Sequence, residues 1–208
     1  MTPLQIACYK DYANCATLLL HYNADANSSD FEHSSCLHKA AFKGSERCVN
    51  ILLKNGAKVD SIDREGSTPL LKAIYNNHKR IAVNLIKHMA NINHSSLNGT
   101  TSLHIAASRG LLECVKILLF YDAEVNIPDE HGRTALAYAI HYRRSGIARL
   151  LHAKGGREEA SPSHLSWLFA SSWFSNLPPN VKDALGVKPS QNKNKMVTQE
   201  PNQYCIIV

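Results

Sequence analysis

Leu4, Leu37, Leu70, Leu103 and Leu136 stand 33 residues apart each time. Similar strings surround them: "TPLQIAC", "SCLHKAA", "STPLLKAI", "TSLHIAA" and "TALAYAI". A second apolar block follows in register, as "CATLLL", "CVNILL", "IAVNLI", "CVKILL" and "IARLLH". After it come "NADAN", "GAKVD", "MANIN" and "DAEVN". This period constrains the fold more than any other feature, because it makes one supersecondary unit recur along the chain. A single unit has too little apolar surface to hold a shape alone. Stacked on its neighbours it joins a continuous core, in which each buried Leu or Ile contributes roughly 1.5 to 3 kcal/mol.

The residues around the leucines say how a unit is built. Thr2-Pro3 and Thr68-Pro69 open a helix well: the hydroxyl accepts from a free N–H, and proline at the first position gives up no bond. The second helix of a unit should end on a residue that tolerates the left-handed conformation, as Asn23, Gly56, Asp122 and Gly155 do. Met89 stands at the same position, where that geometry costs about 1 kcal/mol. The third unit is therefore expected to be loose or differently ended there. His33 likewise stands where Gly66, Gly99 and Gly132 mark a turn. Cys15, Cys48 and Cys114 share a column with Ile81 and Ile147, which predicts core packing for all three cysteines. Units stacked about 8 to 10 Å apart are also too far apart for a disulfide, which needs Cα atoms within about 7 Å.

These strings resemble the ankyrin repeat, whose hallmark Thr-Pro-Leu-His-x-Ala-Ala is nearest at Thr68-Pro69-Leu70 and at Leu103-His104-Ile105-Ala106-Ala107. Five units, about 1–29, 30–62, 63–95, 96–128 and 129–156, give a repeat domain over residues 1–156. The resemblance implies an all-α fold, an ankyrin-repeat solenoid of stacked helix-turn-helix units with β-turn tips. It implies that His38 and His104 tie neighbouring turns together through ring hydrogen bonds. It also implies that variable residues on the concave face bind another protein. The partner-binding candidates are then Phe31, Arg64 and Leu97 on the turn tips. On the first helices they are Lys39, Phe42, Lys43, Lys72, Tyr75, Arg109 and Tyr142. Aromatic and basic columns run side by side on these helices with no acid interleaved, and Tyr, Phe and Arg often dominate binding energy at the centre of a groove. The expected partner is a protein segment that is acidic and carries an apolar anchor.

Little else in the chain points to chemistry. Eleven histidines form no His-Glu-x-x-His pair, no Cys-x-x-Cys pair is present, and there is neither a Gly-rich phosphate loop nor a Gly-x-Ser-x-Gly elbow. The chain is expected to be a non-enzymatic scaffold or adaptor with no catalytic residue, no metal and no cofactor. Its net charge of +6 includes no block of five basic residues, which argues against nucleic acid as the partner. No run of eighteen apolar residues occurs, and the start "MTPLQIACYKD" lacks a secretion pattern. A cytoplasmic location is expected, with the six cysteines reduced. Met1 falls inside a unit, so either an exposed first stacking face or a truncated product is expected. His152, polar in a column of Leu and Ile, suits a terminal unit.

Beyond the repeats, residues 157–186 form a short aromatic segment in which Leu165, Leu168, Phe169 and Trp173 share one helical face. Two readings stand. The segment is a cap on the last repeat, or it resembles a degenerate SOCS box, which would dock Elongin B and C and a cullin. Leu165-x-x-Leu168 and Leu177-Pro178-Pro179 fit that box, whereas Phe169 stands where it has cysteine. Residues 187–208 read as a flexible tail ending in Cys205-Ile206-Ile207-Val208. That ending fits the C-a-a-X prenylation signal, with Cys205 the lipidated residue, or is an accidental apolar end. A lone prenyl chain would make the protein a conditional, peripheral membrane protein.

Overall fold

A computed structural model describes residues 1–157. The tail segment, the box-like motif and Cys205 lie outside the described residues. Ten helices follow one another there: α1 (Pro3–Tyr9), α2 (Ala13–His21), α3 (Cys36–Lys43), α4 (Glu46–Lys54), α5 (Pro69–Tyr75), α6 (Lys79–Lys87), α7 (Ser102–Arg109), α8 (Leu112–Phe120), α9 (Ala135–His141) and α10 (Ser145–Ala153). Among the described residues there is no β-strand, only the isolated bridges Ser29 to Ser35 and Ser95 to Thr101. The fold is the all-α repeat array that the resemblance implies.

Each odd-numbered helix starts where a hydroxyl can cap it. Thr2, Ser35, Thr68, Thr101 and Thr134 each accept a hydrogen bond from the N–H three residues on, and Pro3 and Pro69 occupy the first helical positions. Helix α1 packs on α2 and α3, and the same pattern repeats to α9 and α10. The 33-residue columns become core layers. Leu52, Leu85, Leu118 and Leu151 are fully buried in the even-numbered helices, and Leu37, Leu70 and Leu136 in the odd-numbered ones.

Two expectations are corrected here. Cys48, Ile81, Cys114 and Ile147 are buried, but Cys15 is exposed. The column sets which face a residue occupies, not whether a neighbour covers it. In the described residues no helix pair precedes α1 and α2, so Cys15, Leu18 and Tyr12 face solvent. Met89 also departs from expectation: it keeps the left-handed geometry of its column, with φ of +67° beside +61° for Asn23 and +60° for Asp122. The even-numbered helix of the third unit ends like the others, and the strain is retained.

Met89 is 86% exposed, so it recovers none of that strain through packing. Met89→Asn is expected to raise stability by about 1 kcal/mol, read as a higher urea midpoint at unchanged slope. An unchanged or lower midpoint would mean that the side chain contributes contacts the fold needs.

Candidate functional site

The turns before α3, α5 and α9 are each organised by an aspartate in a 33-residue column. Asp30 Oδ1 accepts from the N–H groups of Glu32 and Ser34, at 3.0 Å each. Asp63 does the same for Glu65 and Ser67 at 3.0 and 2.8 Å, and Asp129 for His131 and Arg133 at 2.9 Å each. Successive tips are joined by backbone bonds, from Arg64 N–H to Glu32 O, Leu97 N–H to Glu65 O, and Glu130 N–H to Asn98 O. The tips and the odd-numbered helices together line a groove.

The second oxygen of each aspartate takes up a groove residue nine positions on. Lys39 Nζ lies 2.8 Å from Asp30, and Lys72 Nζ lies 2.8 Å from both Asp63 and Glu65. In the last unit Tyr138 donates to Asp129 at 2.7 Å, and Arg133 closes on the same carboxylate. Burial disfavours the charge on Asp129, but Arg133, with help from the turn N–H groups and Tyr138, outweighs it and holds the carboxyl at about 2. Burial also opposes the charge on Lys72, yet its two acid partners push its pKa up. Acids from the turns thus interleave with the basic column after all, so Lys39 and Lys72 are paired. Arg64 is paired too, with Glu32 at 3.3 Å. The sequence signal for this was the Asp30, Asp63, Asp129 column itself.

The fourth unit lacks the pair on both sides at once: Ser96 stands in the aspartate column and Ile105 in the lysine column. A cavity of about 810 Å³ opens there, lined by Phe42, Leu71, Tyr75, Leu97 and Ile105 along with Arg64 and Lys72. A smaller and more charged one, about 260 Å³, lies toward the first unit, with Tyr9, Lys39, Phe42, Arg64 and Lys72 in its lining. Lys43 and Arg109 are held over aromatic rings, each 4.4 Å from a centroid, on Tyr9 and Tyr75 respectively. Neither has a carboxylate partner among the described residues. Phe31 and Leu97 project from the tips at 75% and 77% exposure, and Tyr142 stacks against Tyr138. Phe42, Arg64, Lys72, Tyr75 and Leu97 are therefore brought together and Lys39 joins the smaller cavity, whereas Phe31, Lys43, Arg109 and Tyr142 line neither.

Histidines tie the units, as the resemblance implied. His38 Nε2 lies 2.8 Å from Ser67 O, and its Nδ1 lies 3.2 Å from the Ser35 N–H. His104 spans Arg133 O at 2.9 Å and Thr101 N–H at 3.2 Å. A carbonyl only accepts, so Nε2 carries the proton and Nδ1 accepts. Gln5 reproduces the device in the first unit: its amide donates to Ser28 O and Ser34 O, and its oxygen accepts from Thr2 N–H. Leu71 and Ala137 fill the same column in the third and fifth units without any such bond. Every buried side-chain N or O atom among the described residues has a partner, and no group of three His, Cys, Asp or Glu there could hold a metal ion.

Stacked helix pairs with an open groove along their turn tips define a helical repeat protein of the interaction-scaffold class. The family model for ankyrin repeats, in three copies, matches residues 4–96, 37–129 and 82–161, so the chain belongs to the ankyrin-repeat family. A further similarity is to serine/threonine-protein kinase 12 of Arabidopsis thaliana, 36% identical over 62 residues. That match covers 30% of this chain and 14% of the kinase, too small a share to carry the kinase's activity across. No helix among the described residues is long and apolar enough to cross a membrane.

Proposed function

We propose that this chain is an adaptor whose groove holds an extended segment of a partner protein. The supporting observation is the cavity of about 810 Å³ lined by Tyr75, Leu97 and Ile105, where Ser96 and Ile105 replace the Asp–Lys pair of the second and third units. An aliphatic or aromatic anchor fits it. Acidic residues flanking that anchor would meet Lys43 and Arg109, which lie over the Tyr9 and Tyr75 rings without carboxylate partners, rather than Lys39 or Lys72.

The test is selection of a displayed random-peptide library on the full chain. Enriched peptides should carry one large apolar residue near Asp or Glu. Tyr75→Ala with Leu97→Ala should weaken them at least about tenfold, as loss of a groove hot spot does. Arg109→Ala should cost more than Lys72→Ala. Absence of enrichment, or indifference to the Tyr75 and Leu97 changes, sinks this reading.

Two finer readings concern residues 158–208. We read Cys205 as a prenylation site that adds a conditional membrane tether, and an unmodified C-terminal peptide from eukaryotic cells would remove it. A ligase substrate receptor, suggested by Leu177-Pro178-Pro179, requires Elongin B and C to co-precipitate with the full chain.

A further inference from the structure

The C-terminal ends of α2, α4, α6, α8 and α10 form one row, since each unit contributes the same three positions: "HYN", "KNG", "KHM", "FYD" and "AKG". This row lies at the opposite end of the even-numbered helices from the turns that lead into them. Three large apolar residues stand in it almost bare: Met89 is 86% exposed, Phe120 78% and Tyr22 74%. Lys54, Lys87 and Lys154 stand between and beside them, all exposed. None of these lysines has a carboxylate partner among the described residues. Asp122 is the one acid in these fifteen positions.

We propose that this edge, Tyr22, Met89 and Phe120 with Lys54, Lys87 and Lys154, docks on a bilayer surface bearing anionic headgroups. Lysine in the last turn also complements the carbonyl end of a helix, but that accounts for the cations alone. It does not account for Met89, which holds a left-handed backbone at φ +67° with its side chain in water, where the other four units place Asn, Gly, Asp and Gly. The stacked units hold the backbone in that conformation, and the side chain it presents there is apolar and bare.

The arrangement favours lipid over protein. Protein hot spots cluster in packed pockets, and the cavities described above both lie in the groove. Here the apolar groups are separate prongs, Tyr22, Met89 and Phe120 in the first, third and fourth units, with units stacked about 10 Å apart. A fluid headgroup layer moulds itself around such prongs, while lysines at the same level gain from its negative potential. The inference rests neither on the groove nor on Cys205.

The experiment is co-sedimentation of the full chain, carrying Cys205→Ser and made in bacteria, with phosphatidylcholine vesicles containing or lacking about 30% phosphatidylserine. Binding is expected only with phosphatidylserine. Lys54→Glu with Lys87→Glu should lower partitioning by about 25-fold or more, from roughly fivefold per lysine. Met89→Asn with Phe120→Gln should lower it about tenfold or more. Since Met89→Asn relieves strain, a loss of binding in that variant, with circular dichroism unchanged, does not come from unfolding. Failure to bind the anionic vesicles overturns the proposal, as does binding that survives the Met89 and Phe120 changes. Binding to soluble polyglutamate that is lost in the same variants, with none to vesicles, would assign the edge to an acidic protein and also overturn it.

Discussion

Gly99→Ala is expected to destabilise the protein by about 3 kcal/mol or more, against about 1 to 2 kcal/mol for Gly132→Ala at the same turn position one unit later. Both glycines have positive φ, +76° and +74°, so both substitutions incur the left-handed strain of about 1 to 2 kcal/mol. They differ in what the new methyl meets. At Gly99 a Cβ would lie 2.7 Å from Glu130 N and 2.8 Å from Asp129 Cα, whereas at Gly132 nothing lies within 4 Å. Backbone cannot step aside as a flexible side chain does. The next tip must move, and the Glu130 N–H to Asn98 O bond at 3.2 Å goes with it, a further loss of about 1 kcal/mol. Urea unfolding followed by circular dichroism reads the difference. Equal costs for the two substitutions would show that the tips of the fourth and fifth units do not touch.

The second large effect is on acid stability. Burial pushes the pKa of His38 and His104 below the ordinary 6.5, more strongly than the bonded carbonyls raise it. The unfolded chain therefore binds more protons than the folded one below pH 6.5. The stability these rings contribute is present in full above that value and is lost as pH falls toward the lower folded pKa. A second phase follows at lower pH, when Asp30, Asp63 and Asp129 protonate; it begins below about 4, and Asp129 holds out to about 2. His38→Gln with His104→Gln should keep the inter-unit bonds, as Gln5 does, and flatten the urea midpoint between pH 7 and 5 while leaving the later phase. His104→Leu should instead cost about 1 to 3 kcal/mol at pH 7, because Arg133 O and Thr101 N–H lose their partner. If the Gln variant loses midpoint across pH 7 to 5 as steeply as the wild type, other groups carry the sensitivity.

How much of this was legible in the sequence depends on whether an interaction stays within one column. Leu37, Leu70, the capping hydroxyls and the histidine bridges repeat at a fixed period, and that period carries the fold. The lysine columns were legible too, and so was the aspartate column nine residues ahead of them, but not their pairing: only the path from turn to helix brings Asp30 and Lys39 to 2.8 Å. A period is likewise blind to which unit has a neighbour on a given side, which is why Cys15 is exposed among the described residues although its column is core. Met89 shows a third limit. Propensity weighs a left-handed methionine as a cost, but the stacked units on either side fix the backbone and the residue conforms. Of the edge, only the helix-ending column that holds Met89 was legible; the positions of Tyr22 and Phe120 vary from unit to unit and so left no periodic signal.

Leu71 interrupts the series Gln5, His38, His104, and this has a mechanical consequence. Where a ring spans two units, any relative displacement stretches directional bonds at both ends. Apolar contact is non-directional, so the third and fourth units can slip past each other with fewer such bonds at stake. That seam borders the larger cavity, lined by Leu71, Leu97 and Ile105, so a small slip there would change the width of the groove beside its apolar residues.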